Sequence, residues 1–217
     1  MKTDRQLQED ILRALEFEPG VDAAKVGVSV KDGVATLQGT VRSYFERSTA
    51  DRVTRNVYGV RAVANDLAVS LEGHHVRTDS DIATAVANTL GYDAAVPLNT
   101  VKATVADGWV TLNGTVDWQY QKTAAQHDVE HLVGVKGVTN LVALKPHVMP
   151  SDVKTKIEDA FKRSAQVEAA RIKVQAYDGG VTLSGTVKSL AERDEAERAA
   201  WAAPGVTRVD DRIAVVP

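Results

Sequence analysis

DGWVTLNGTVDW (residues 107–118) reads as a turn, a strand and the exit from that strand. Asp107-Gly108 is a strong hairpin signal, because a tight two-residue turn needs positive φ and glycine meets it at no steric cost. Val110, Leu112 and Val116 then alternate with Thr111, Asn113 and Thr115. That two-residue period predicts a strand with one buried and one polar face. Nearly the same dozen residues occur upstream as DGVATLQGTVRS (32–43) and downstream as DGGVTLSGTVKS (178–189).

Shifts of 75 and then 71 residues align the three copies without a gap. Leu7, Ile82 and Val153 coincide, as do Ile11, Val86 and Ile157, and Leu15, Leu90 and Phe161. Their four-residue spacing predicts an opening helix with one apolar stripe. Thr78, Asp79 and Asp81 are N-cap candidates or first-turn acids of the second copy. Val26, Val28 and Val30 predict a first strand, and Ala35, Leu37 and Val41 the buried side of the second. A charged helical stretch (43–59) follows, for which Gly59 is the expected stop. A last strand, VRAVANDLAV, carries Val63, Leu67 and Val69 on one side.

Each copy thus reads α-β-β-α-β. The fold class is α+β, three tandem αββαβ units, each a three-stranded mixed sheet with two helices packed on one face. The expected units span residues 1–70, 78–144 and 150–217, joined by linkers 71–77 and 145–149.

The recurring Asp-Gly-x-Val-x-Leu-x-Gly-x-Val and Gly-Val-x-x-Val-x-Asn-x-Leu patterns resemble the BON domain family (bacterial OsmY and nodulation). The second copy carries both, as DGWVTLNGTV and GVKGVTNLVAL; the third has GVTRVDDRIAV, with Asp211 where the others have Asn65 and Asn140. The resemblance implies a non-enzymatic module that binds phospholipid or an envelope component and is tied to osmotic or general stress. It implies no cofactor and no set of catalytic residues. The alternative is a protein adaptor or scaffold that works through a sheet face or an edge strand.

Composition narrows the classes. The 217 residues are 44% hydrophobic and 25% charged, with a formal net charge of -3, which argues against a nucleic-acid binder. With no cysteine, thiolate chemistry and disulfides are excluded. No apolar run approaches the roughly 20 residues of a transmembrane helix. MKTDRQLQEDILRAL lacks the core of a signal peptide, so a full-length chain is expected to be cytoplasmic, or periplasmic if a leader has been removed. Lys154, Lys156, Lys162 and Arg163 are interleaved with Asp152, Glu158 and Asp159, which predicts a solvated helix face and no polybasic anchor.

The recurring glycines, Gly33, Gly108 and Gly179 in the hairpins and Gly39, Gly114 and Gly185 late in the second strand, are read as structural, as are Gly59, Gly134 and Gly205. The middle set suggests a bulge or a helix crossing too close for a side chain. Asn65, Asn140 and Asp211 are in register with inward-facing residues and need partners. A bond to a loop backbone is expected, with a ligand site as the alternative. HDVEH (127–131) matches a zinc-peptidase pattern, in which His127 and His131 would share a helix face beside Glu130. The other copies lack it, and Ala125, Val129 and Leu132 mark the inward face, so these histidines are placed at a solvated edge and no metal is expected. His74, His75 and His147 read as solvated linker residues, with metal binding as the alternative. Trp109, Trp118 and Tyr120 are the candidate lipid or partner contacts; Trp109, at a hairpin tip, either meets a bilayer interface or packs on a neighbouring unit.

Overall fold

The computed structural model describes residues 2–71, 76–146, 152–164, 167–177 and 179–216. The first unit comprises α1 (Asp4–Phe17), β1 (Val26–Lys31), β2 (Val34–Val41), α2 (Tyr44–Arg55) and β3 (Ala62–Val69). The second comprises α3 (Asp79–Tyr92), β4 (Val101–Ala106), β5 (Trp109–Val116), α4 (Gln119–Glu130), β6 (Gly137–Asn140) and β7 (Ala143–Leu144). The third comprises α5 (Val153–Arg163), β8 (Ile172–Tyr177), β9 (Gly180–Val187), α6 (Leu190–Trp201) and β10 (Arg208–Val215).

In every unit the hairpin's second strand is central, antiparallel to the first and parallel to the last. The final strand of the second unit is interrupted after Asn140, yet β6 and β7 stay in one register against β5. Ala35, Leu37 and Val41 are buried, as are Val110, Leu112 and Val116, and Val181, Leu183 and Val187. The opening helices bury their predicted stripes on the same face, Leu7, Ile11 and Leu15 in the first unit. This is the expected mixed sheet with its helices on one side.

Asp4 links helix to hairpin. Its carboxylate accepts from the N–H groups of Asp32 and Gly33, at 2.8 and 3.1 Å, and Asp79 does the same for Asp107 and Gly108. The third copy has Pro150 at this position, and its hairpin residue Asp178 lies outside the described residues.

Two expectations about glycine need correction. α2 ends at Arg55, four residues before Gly59, and Asn56 caps it. Bonds from Val57 to Thr54 and from Val60 to Val57 then form tight turns, and Gly59 supplies their positive φ of 106°. At Gly39 and Gly185 the crossing element is the last residue of a short 3-10 turn, Ala23–Lys25 or Ala169–Arg171, and not one of the α-helices. Gly39, Gly114 and Gly185 all lie at positive φ, and a Cβ there would enter the backbone carbonyl of Lys25, Thr100 or Arg171, just before the first strand of its hairpin. A close backbone crossing sets the requirement.

Candidate functional site: a groove between the second helices of units two and three

The second helix of the first unit meets both of its counterparts, α4 and α6. Phe45, on the first turn of α2, stacks on His131 at the end of α4 with ring centroids 4.5 Å apart. Its neighbour Tyr44 packs against the core of the second unit. At the other end of α2, Arg55 forms a two-pronged ion pair with Asp194 of α6, at 2.6 and 3.3 Å. The apolar cores of units one and three belong to one continuous cluster, whereas unit two has its own. Between α4 and α6 the surfaces part, leaving a groove of about 970 Å³.

Aromatic side chains from both units line this groove: Trp118 and Tyr120 from the start of α4, and Trp201 from the end of α6. Trp118 is 38% exposed and Tyr120 61%. Gln121 fixes this end of α4, its Oε1 accepting from the N–H groups of Asp117 and Trp118, both at 3.0 Å. Across the groove, the Trp201 indole N–H donates to Glu197 at 3.2 Å.

Glu197 is available for that bond because of the odd residue in the last strand. Asn65 Nδ2 donates to the Arg47 carbonyl and to Asp51, and Asn140 Nδ2 donates to the Lys122 carbonyl and to Gln126. Both amides thus reach the second helix, because the strand runs directly beneath it, and Asn140 Oδ1 also accepts from the Val142 N–H in the break between β6 and β7, a bond of the expected loop-backbone kind. Asp211 has no N–H to donate. It accepts from the Arg193 guanidinium at 2.6 Å instead. Glu197, which aligns with Asp51 and Gln126, is released from this link and turns to the indole.

At another part of the groove wall, Asp93 and Asp128 come together. Oδ2 of Asp128 is sealed from solvent with no hydrogen-bond partner. An ionised pair can only repel, while a protonated Asp128 can donate to Asp93. Burial, and then Asp93, push the Asp128 carboxyl up to about 6 from the ordinary 3.8, against the opposing pull of His127 and His131. The folded chain thus holds this proton more tightly than the unfolded chain. The stability it contributes is complete below about pH 4 and is lost as pH rises through about 6. Asp128→Asn, which keeps a donor toward Asp93 at every pH, is expected to flatten that decline and raise the melting temperature at pH 7. Melts of both proteins across this range measure it, and parallel curves would refute the assignment.

His127 and His131 sit at the exposed edge of α4. The His131 ring nitrogen Nδ1 lies 2.6 Å from the His127 carbonyl, and the two ring centroids are 4.3 Å apart with the planes tilted by 55°. Glu130 accepts from Gln126. Among the described residues no group of three or more His, Asp or Glu side chains could hold a metal ion. His74, His75 and His147 lie outside the described residues.

A family model for the BON domain matches residues 3–70, 78–146 and 151–217. The chain belongs to the BON domain family. It is 32% identical over 141 residues to the osmotically-inducible protein Y of Escherichia coli (strain K12), which covers 63% of this chain and 70% of that protein. Two solved structures of CdsD, a structural protein of the type III secretion system of Chlamydia trachomatis, match at 14% identity. One covers 98% of this chain and 93% of its own at a TM-score of 0.29; the other covers all of both at 0.27. Likenesses at this level do not bear on function.

The BON repeat does not unite the three aromatic candidates. Trp109 is the first residue of β5, directly after the hairpin turn, and is 46% exposed. Its ring covers Gly137 on the outer face of its own BON sheet, and its indole N–H donates to Thr139 at 2.8 Å. The third BON domain does likewise with Tyr177, which covers Gly180. Trp118 and Tyr120 do share the groove, but Trp201, Glu197, Asp93 and Asp128 beside them escaped the sequence reading. They occupy positions where the BON copies disagree. Lys154, Lys156 and Lys162 are paired with Glu158, Asp152 and Asp159, so this BON helix presents no polybasic surface. Among the described residues no helix is long and apolar enough to cross a membrane.

Proposed function

We propose that this protein is a non-enzymatic stress protein that attaches peripherally to membranes by seating a phospholipid headgroup in the groove between its second and third BON domains. The observation that carries this reading is the pair of exposed aromatics, Trp118 and Tyr120, facing Trp201 across a cavity that neither domain forms alone. Amphipathic aromatic side chains gather where an apolar chain meets a wet headgroup. Family membership and the osmotically inducible relative support the association with stress.

Cosedimentation with liposomes at low salt tests it. The whole chain is expected to pellet with vesicles, and Tyr120→Ala to lower apparent affinity about fivefold, the worth of one aromatic contact. The second domain alone should bind weakly, having only one wall of the groove. No pelleting with neutral or anionic vesicles overturns the reading. The competing adaptor reading rests on the two outer strands of each sheet, which pair with no further strand among the described residues. It predicts a stoichiometric protein partner and no vesicle binding.

A further inference from the structure

We infer that the groove recognises a quaternary ammonium group, and that its lipid is therefore a choline headgroup and not an anionic one. This rests on the groove being the binding site. The charge around the cavity decides the sign. Arg198 is the one guanidinium among the groove's described lining residues, and it is spent on Glu195, at 2.6 and 2.9 Å. Asp194 is likewise matched by Arg55. Glu197, Asp93 and Asp128 remain outside the described ion pairs; Arg55 acts on Glu197 and the His127 ring on Asp128 only through space, so the lining carries more carboxylates than cations. A phosphate-binding site needs an unpaired guanidinium or ammonium, and the described lining offers none, its other donors being the Gln119 amide, the Tyr120 and Thr123 hydroxyls and the His127 ring.

The aromatic lining decides the chemistry. A metal ion or a primary amine needs converging oxygen acceptors, whereas a trimethylammonium group donates no hydrogen bonds and is held by π faces with a nearby negative charge. Trp118, Tyr120 and Trp201 supply such faces, and Glu197, held beside the Trp201 indole by its hydrogen bond, supplies the charge. The Asn-to-Asp change at position 211 gives this arrangement to the third domain alone, since the equivalents Asp51 and Gln126 are tied to their own last strands.

The test uses the whole chain. Choline chloride is titrated against tryptophan fluorescence, with sodium chloride at equal ionic strength as the blank. In parallel, vesicles of pure phosphatidylcholine and of pure phosphatidylglycerol are compared by cosedimentation. Saturable choline binding, a preference for phosphatidylcholine, and a loss of about fivefold in both Glu197→Gln and Tyr120→Leu are expected. The first variant keeps the acceptor for the indole and removes only charge; the second keeps apolar bulk and removes the π face. Choline binding without vesicle binding supports the site for a free cation and overturns the membrane reading. Preference for phosphatidylglycerol overturns this inference and leaves the membrane reading standing. Response to neither overturns both.

Discussion

Gly114→Ala is expected to unfold the second domain under conditions where the other two stay native. The residue sits at φ 143°, and a methyl group there would drive into the Thr100 carbonyl. Positive φ in a residue with a side chain costs about 1–3 kcal/mol, and a forced overlap a similar amount again. The neighbour cannot give way, because it is backbone leading straight into β4. A domain of this size has only about 3–10 kcal/mol to lose. Hydrogen exchange resolved by segment should show β4, β5 and α3 losing protection together while β9 and α6 keep theirs. A variant within about 1 kcal/mol of the parent would show that the crossing can relax.

Glu192→Ala should cost about 3–5 kcal/mol of the third domain's stability, the combined worth of two bonds to a buried carboxylate. Glu192 is 8% exposed. Its two oxygens accept from the N–H groups of Glu168 and Lys188, at 2.9 and 2.8 Å, tying the segment before β8 to the end of β9. Alanine leaves both N–H groups without their carboxylate acceptor. Glu46 makes the same bridge in the first domain, to Asp22 and Arg42. Gln121 shows what an amide can do: its single oxygen serves only Asp117 and Trp118, and the segment before β4 is held by other bonds, Ala95 to Asp93 and Thr100 to Pro97. Glu192→Gln should therefore fall between parent and alanine variant in chemical denaturation. Equal stability for all three proteins would remove the bridge from the account.

These bridges were within reach of sequence reading. Ser43-x-x-Glu46 and Ser189-x-x-Glu192 have the spacing of a capping box. The serines cap as that motif predicts, but the carboxylates reach beyond the helix to a distant segment. The fold was legible because three copies agree: Leu37, Leu112 and Leu183 cannot coincide by chance with Gly39, Gly114 and Gly185 two residues later. Agreement between copies reports what each domain needs for itself. Contacts between domains must differ from copy to copy, since one helix meets different neighbours on each occasion. Arg55, Glu130 and Trp201 align with one another and do three different things. Alignment alone gives no pairing for such residues, so Trp118 and Tyr120 could be nominated while their opposite wall could not.

The ion pair between Arg55 and Asp194 joins residues 139 positions apart. A ribosome adding roughly 5–20 residues each second needs on the order of 10 s to cover that distance. The first domain therefore emerges with one greasy flank bare and has to remain soluble until the last third of the message has been read. During that interval the flank is open to whatever attends the nascent chain. A stop codon placed after the second domain would leave it open for good.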